Sequence, residues 1–263
     1  MTDWAWPLLL GVLGLVFGSF IATAAIRWPQ GRSPLRGRSE CDHCGRVLGA
    51  TDLVPVLSYV ARRGRCAACG GRIAPSHLAT ELLGGAIGVI AGFLAPGMAG
   101  ALGAVFGWML LLLAALDLAA LWLPDILTGL LGAAGVGAAL ILPEPPLWDR
   151  LIGGLVGFGT LWLVRTGYRA LRGREGLGGG DPKMFGAIGL WLGWTQLPLV
   201  LLAAALPGLA LVLVMWIGGR RVAADVKLPF GVLLAVGAFA VWTAEAGIPP
   251  PVTEVTLYSE SGP

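Results

Sequence analysis

Apolar runs of spanning or near-spanning length recur along this chain at roughly 4–26, 78–96, 99–117, 126–142, 150–166, 185–202, 203–218 and 229–247. A helix needs about 20 apolar residues to cross the ~30 Å hydrocarbon core of a bilayer, and within that core only helices and closed barrels satisfy their own backbone. The runs predict an all-α polytopic membrane protein with about eight transmembrane helices. Composition agrees: 56% of the 263 residues are hydrophobic and 13% charged, and the mean hydropathy of +0.80 exceeds what a water-soluble core of this size requires. The opening run, Trp4 to Ile26, follows no basic stretch and is long enough to span, so it is expected to be a retained first helix rather than a cleaved signal. Most of the 42 glycines lie inside apolar runs without a period, where small residues let helices approach closely. Pro207 is expected to separate the sixth run from the seventh.

Orientation follows from the basic residues. Arg27, Arg32, Arg36, Arg38, Arg46, Arg62, Arg63, Arg65 and Arg72 lie between the first two runs and make up nine of the eighteen Lys and Arg residues. With eight alternating spans, Arg165, Arg169, Arg172, Arg174, Lys183, Arg220, Arg221 and Lys227 fall on the same face, which leaves Arg150 alone on the other. The positive-inside rule makes the basic face cytoplasmic and places the N-terminus outside. Trp4, Trp6, Trp28, Trp122, Trp148 and Trp216 mark run ends, as an interfacial aromatic belt does.

All four cysteines occur in the first basic loop, as Cys41-Asp42-His43-Cys44 and Cys66-Ala67-Ala68-Cys69. Two Cys-x-x-Cys pairs at this separation have the spacing of a four-cysteine zinc site, and a reducing cytoplasmic compartment argues against two disulfides. His43 reads as a neighbour of that site rather than a ligand. A loop of about fifty residues with nine arginines has little core of its own, so a metal would supply its stability.

Two carboxylates stand at run ends. Asp117 closes the third run, and Asp181 opens the sixth within Gly178-Gly179-Gly180-Asp181-Pro182-Lys183. An acid at the mouth of a membrane helix is costly and marks a candidate functional site. Asp181 before Pro182 also suits a helix N-cap, but that leaves the glycine run unexplained; Gly178 and Gly180 would let backbone or an extended substrate approach the carboxylate. Asp125 after Pro124 reads as a helix start. If Asp117 and Asp181 converge, they share a proton and act as a general base and a general acid on a peptide bond. Lys183 either faces this pair and favours its ionisation, or snorkels to lipid phosphate.

These residues resemble a known family. Gly178-x-Gly180-Asp181-x-Lys183 is similar to the GxGD signature of intramembrane aspartyl peptidases, and Asp117 with Pro124 resembles the companion motif of the type IV prepilin peptidases. The resemblance extends through Gly18-Ser19-Phe20, Arg27-Trp28-Pro29, both cysteine pairs, Pro55-Val56-Leu57-Ser58-Tyr59, Glu81-Leu82, Gly189 to Trp194 and Leu228-Pro229-Phe230-Gly231. The chain departs from the family pattern at Ala22, Asp42 and the stretch 49–53.

The resemblance implies a bifunctional enzyme of the bacterial inner membrane. Such an enzyme removes the basic leader of type IV prepilins or type II secretion pseudopilins after a Gly on the cytoplasmic side, with Asp117 and Asp181 as the catalytic pair. It then methylates the new N-terminal residue from S-adenosylmethionine. The cysteine loop is the part associated with methyl transfer, and Glu81 matches an acidic position that is a candidate for that activity. The expected organisation is a first transmembrane helix at 1–26, a cytoplasmic zinc-binding loop domain at 27–77, a seven-helix peptidase core at 78–247 and a flexible periplasmic tail at 248–263. Expected partners are the pilin-like substrates and membrane lipids, with nucleic acid not among them. Two other classes fit the residues less well: a transporter using its acids as an ion relay, which would place them near the bilayer midplane, and a noncatalytic scaffold for secretion assembly.

Overall fold

The computed structural model describes residues 4–41, 43–217 and 228–247. The expected tail at 248–263, the basic residues Arg220, Arg221 and Lys227, and Asp42 lie outside these residues. The described residues form nine helices: α1 Ala5–Arg27, α2 Leu57–Ala61, α3 Pro75–Leu94, α4 Met98–Ala120, α5 Asp125–Ala138, α6 Leu147–Arg172, α7 Asp181–Leu192, α8 Leu197–Ile217 and α9 Phe230–Ala246. Among them there is no strand beyond the isolated antiparallel bridges Glu40–Val47 and Arg65–Arg72. Each bridge closes the turn that carries one cysteine pair.

The helices that begin at Ala5, Pro75, Met98 and Leu147 (α1, α3, α4 and α6) are long and apolar enough to cross a membrane. The expectation of about eight spans is thus met on length and composition for four. The shortfall has a physical reason, clearest in α7, whose twelve residues rise only ~18 Å at 1.5 Å each, short of a ~30 Å core. The sixth and seventh runs are also divided elsewhere than expected. The chain breaks at Gly193, whose φ of 77° and ψ of 172° suit glycine alone, and α8 carries Pro207 within it. Neighbouring groups can re-satisfy the one carbonyl a proline frees in an apolar helix, whereas no L side chain is at ease at the Gly193 angles.

Close helix contacts are made where glycine replaces a side chain. A Cβ at Gly14 of α1 would collide with the Gly84 carbonyl of α3, and one at Gly84 would collide with that of Gly14. Gly153 of α6 and Gly189 of α7 stand in the same reciprocal relation. The backbones therefore touch, and dispersion between main chains binds these pairs.

The short α7 is the centre of the molecule, with ten of its twelve residues buried. Met184, Phe185 and Ile188 pack with Phe106, Leu110 and Leu113 of α4 and Leu234 and Ala238 of α9. A helix apolar on every side is one enclosed on every side. Arg150 of α6, 1% exposed, fastens this centre at the C-terminal end of α7. Its guanidinium donates to the carbonyls of Pro145 at 2.8 Å, Trp191 at 3.0 Å, Gly135 and Glu144 at 3.1 Å and Leu190 at 3.4 Å. A cation there meets the negative end of the helix dipole.

Candidate active site

Asp117 and Asp181 are each 5% exposed and reach one site from different helices. Asp117 lies one turn before the end of α4. Its Oδ2 accepts the Val232 amide at 3.1 Å, an N–H in the first turn of α9. The same N–H also reaches the Pro229 carbonyl at 3.2 Å, and the first turn carries the positive end of the helix dipole, so a carboxylate from a neighbouring helix is stabilised there. A Cβ at Gly231 would stand 2.8 Å from the same oxygen. The Leu228-Pro229-Phe230-Gly231 motif thereby acquires a role that sequence reasoning did not give it: it opens α9 with room for the acid. The signal was present as a proline followed by a glycine before an apolar run.

Asp181 is the first residue of α7, with Gly180 before it and Pro182 after it. Its carboxylate lies against the Gly178 backbone and feels the charges of Asp117 and Arg165. A Cβ at Gly178 would lie 2.8 Å from Asp181 Oδ2, and one at Gly180 would lie 2.6 Å from Leu123 Cβ. Gly180 sits at an ordinary φ of −82°, so it is required for space rather than conformation. Leu123 packs between the two glycines that support the acids, since its Cδ1 is 3.2 Å from a Cβ at either Gly180 or Gly231. It reaches that place because Leu121 ends α4 in the left-handed region at φ 50° and Pro124 then opens α5.

Two further residues complete this end of the bundle. Arg165 of α6 donates to the Leu177 carbonyl at 3.3 Å and pairs with Glu175 at 3.2 Å, fastening the glycine loop to α6; its basic charge gave no hint of this task. Lys183 turns away from the acids. Its Nζ bonds both oxygens of Asp125 at 2.7 Å, tying the first turn of α7 to the first turn of α5, so neither alternative read from the sequence describes it.

The four cysteines come together in the segment between α1 and α3, their sulfurs all within 4.8 Å of one another. A tetrahedral ion with ~2.3 Å metal–sulfur bonds has sulfur–sulfur edges of about 3.8 Å, and Cys41 Sγ lies 3.9 Å from Cys69 Sγ. Gly45 and Gly70 follow the two pairs at φ 68°, which turns backbone amides toward the sulfurs. The amides of Cys69 and then Ala68 lower the Cys66 thiol to about 6, whereas Cys69, despite the Gly71 amide, is raised to about 11 by its sulfur neighbours and burial, so the Cys66 thiolate is the one the backbone favours. The donor set and its geometry fit a tetrahedral divalent ion. His43 stands outside the cluster of ligand atoms, its Nε2 3.1 Å from the Arg72 carbonyl oxygen.

Glu81 is buried near the start of α3, and its Oε2 accepts the Val56 amide at 2.8 Å. It stands with the cysteine segment rather than with the two aspartates.

With this arrangement in hand, the comparisons are direct. Residues 12–94 match the bacterial peptidase A24 N-terminal domain, and residues 104–213 match the type IV leader peptidase family. The prepilin leader peptidase/N-methyltransferase of Burkholderia pseudomallei strain K96243 is 40% identical over 259 residues, covering 87% of this chain and 82% of the relative. The chain belongs to the type IV leader peptidase family. The protein of the same name from Dickeya chrysanthemi is 37% identical, covering 88% of this chain and 90% of the relative. That from Klebsiella pneumoniae is 37% identical over 207 residues, with 76% and 91% covered. No solved structure matches the chain. As a member of the leader peptidase family the chain is a membrane enzyme, an aspartic peptidase of the leader peptidase/N-methyltransferase type.

Proposed function

We propose that this enzyme resides in the bacterial inner membrane and cleaves type IV prepilins or type II secretion pseudopilins after a Gly on the cytoplasmic side, with Asp117 and Asp181 as its catalytic pair. The observation that carries the reading is the convergence of two buried carboxylates from separate helices in a chain of this family. Two buried carboxylates that feel each other's charge share one proton. The ionised member takes a proton from water as that water attacks the scissile carbonyl, and the protonated member gives its proton to the carbonyl oxygen; the proton taken from water then passes to the leaving amine as the C–N bond breaks, and the tetrahedral diol returns a proton to the other carboxylate. The Val232 amide stabilises negative charge on Asp117, which favours Asp117 as the base and Asp181 as the acid. Gly178 and Gly180 leave space for an extended segment beside the acids, and the Lys183–Asp125 pair holds two of the surrounding helices in register.

In the same reading the N-terminus lies outside the cell, so the basic loops face the cytoplasm. Anionic lipid there attracts a basic leader while the apolar stem of the pilin stays among the helices. Residues 1–26 form the first membrane helix, 27–77 the cysteine domain, 78–247 the peptidase core and 248–263 the outer tail. Cys41, Cys44, Cys66 and Cys69 hold a structural zinc ion that stabilises the cysteine domain. S-adenosylmethionine supplies the methyl group for the new N-terminus, with Glu81 serving that step.

The test is cleavage of a short peptide carrying a basic leader, Gly and Phe by the purified enzyme in detergent. Asp117→Asn and Asp181→Asn are expected to lose at least about 10³-fold in rate, by analogy with other acid and base removals, with thermal unfolding and bound zinc unchanged. Either variant cleaving at the wild-type rate would remove the aspartyl mechanism.

A further inference from the structure

Leu57 and Val60 are out of place in a segment expected to stand in water. Both are large apolar residues of α2, and they are 68% and 62% exposed. Side chains three residues apart share one side of a helix. Val54, whose carbonyl accepts the Ser58 amide in the turn before α2, is exposed as well. The other side of α2, with Ser58, Tyr59 and Arg62, lines a cavity of about 140 Å³ that the segment encloses with Ser19 and Thr23 of α1 and Glu81 of α3. α2 thus packs by its polar side and turns its apolar side out, the reverse of a helix on a water-facing domain.

The level at which α2 is held accounts for the inversion. The Val56 amide donates to Glu81 at 2.8 Å, and Glu81 lies ~9 Å along the axis of α3 from its start at Pro75. Ser19, on the same cavity, lies ~12 Å along α1 before its end at Arg27. α2 therefore sits alongside the two membrane helices, below their basic ends. At that level both helices still turn apolar side chains outward, Phe20 from α1 and Leu82 and Leu83 from α3, as a lipid-facing surface does.

Backbone at such a depth must find its partners within the protein, and the donors of this stretch do. Pro55 has no N–H, Val56 donates to Glu81, Leu57 to the Pro55 carbonyl at 2.6 Å, Ser58 to Val54 at 3.0 Å and Val60 to Val56 at 2.9 Å. The Leu57 bond closes a γ-turn in which Val56 takes φ 61° and ψ −51°, a form rare in itself and rarer for a β-branched residue. That turn aims the Val56 N–H at Glu81 and pins α2 in place. The Pro55-Val56-Leu57-Ser58-Tyr59 motif, which has no part in the peptidase site, builds it.

We propose that α2 is an interfacial membrane helix, with Val54, Leu57 and Val60 seated among the acyl chains at the boundary of the cytoplasmic leaflet. The proposal rests on the orientation given above and adds a lipid-binding surface to the cysteine segment. Charge selects lipid as the partner. Residues 27–72 hold nine arginines against Glu40, Asp42 and Asp52, and Arg63 and Arg65 are exposed just past α2. A guanidinium reaches headgroup phosphate while its stem lies along apolar surface. An apolar edge beside exposed cations is the pattern of a helix that lies in the interface plane.

The test uses Leu57→Cys, Val60→Cys, Leu83→Cys and Arg32→Cys, each in the full-length protein with zinc bound. Each is labelled with a nitroxide and reconstituted into vesicles of phosphatidylcholine and phosphatidylglycerol, and the unsubstituted protein treated in the same way gives the background. Oxygen partitions into hydrocarbon and a polar nickel chelate does not, so relaxation of the nitroxide by each reports its depth. The labels at 57 and 60 are expected to match the oxygen-to-nickel ratio of the label at 83 within about threefold and to exceed that at 32 by about tenfold or more. The ratio of the label at 32 found at 57 and 60 would overturn the proposal, as would labels there that neither agent reaches, the sign of a second copy or another protein covering α2. Peptide cleavage reports folding of each variant; if one of the α2 variants fails to fold, the other decides. A label at 83 with the ratio of that at 32 would instead overturn the membrane placement of α3 on which the proposal rests.

Discussion

Main-chain groups rather than other side chains fix the positions of the two acids. Val232 N–H holds Asp117, the Gly178 backbone packs against Asp181, and Leu123 fills the gap between their supporting glycines. Backbone donors on helix ends move little, so the acids are prepositioned. Replacing Gly231 by Ala puts a methyl group 2.8 Å from Asp117 Oδ2 and forces the carboxylate to shift. A misplacement near 1 Å costs about 10²-fold, and kcat/KM for leader cleavage in Gly231→Ala should fall by that order with the unfolding temperature little changed. The acids and cysteines were legible in the sequence because each is chemically conspicuous where it stands: a charge at the end of an apolar run, or thiols in paired spacing. Their supports were not. Val232 and Leu123 are ordinary apolar residues whose roles come from which helix ends meet. Lys183 was misjudged for the same reason, since its partner Asp125 is 58 residues away and becomes adjacent only when α5 and α7 start side by side.

At the level of the helices, apolar run length located the membrane elements, but the break between the sixth and seventh lay hidden. Pro207 looks like the stronger breaker, yet Gly193 ends α7 because the chain must turn beside Pro145 there, 3.4 Å from where a Cβ would sit. Arg150 shows the same limit. By charge counting it is the odd residue on the less basic face, whereas in the fold its guanidinium serves carbonyls on α5, α7 and the 144–146 turn. Removing it strands several buried acceptors, and hydrogen bonds from charged donors contribute about 1.5–3 kcal/mol each. Arg150→Met should therefore lower stability by at least about 3 kcal/mol, read as earlier thermal unfolding in detergent. Arg150→Lys should recover only part of the loss, because an ammonium has three donors and no planar fork.

Across the whole molecule, the cysteine segment and the helical bundle are stabilised by different means. The bundle buries a continuous apolar core centred on α7, while residues 28–74 contain few buried apolar groups, Cys66 among them. If the four cysteines hold zinc as proposed, its removal with a strong competing chelator should therefore expose that segment to limited proteolysis and stop methylation. The bundle should keep its unfolding temperature and its cleavage rate within about threefold, since metal binding and folding are coupled only where the core is insufficient. Equal loss of both activities on chelation would show that the two parts stand or fall together.

Trp28, just past α1, meets Trp122, just past α4, edge to face with ring centroids 5.8 Å apart. The first borders the cysteine segment and the second the loop that carries Leu123, so the cysteine segment meets the end of the bundle that carries the two acids at this ring pair. On the function proposed above, a pilin-like substrate cut beside the acids would remain anchored by its own stem in a two-dimensional film. Its fresh amine would then sample the cysteine segment as a tethered group does, at an effective concentration on the order of millimolar. Soluble peptides lacking the stem should accordingly be cut more efficiently than they are methylated.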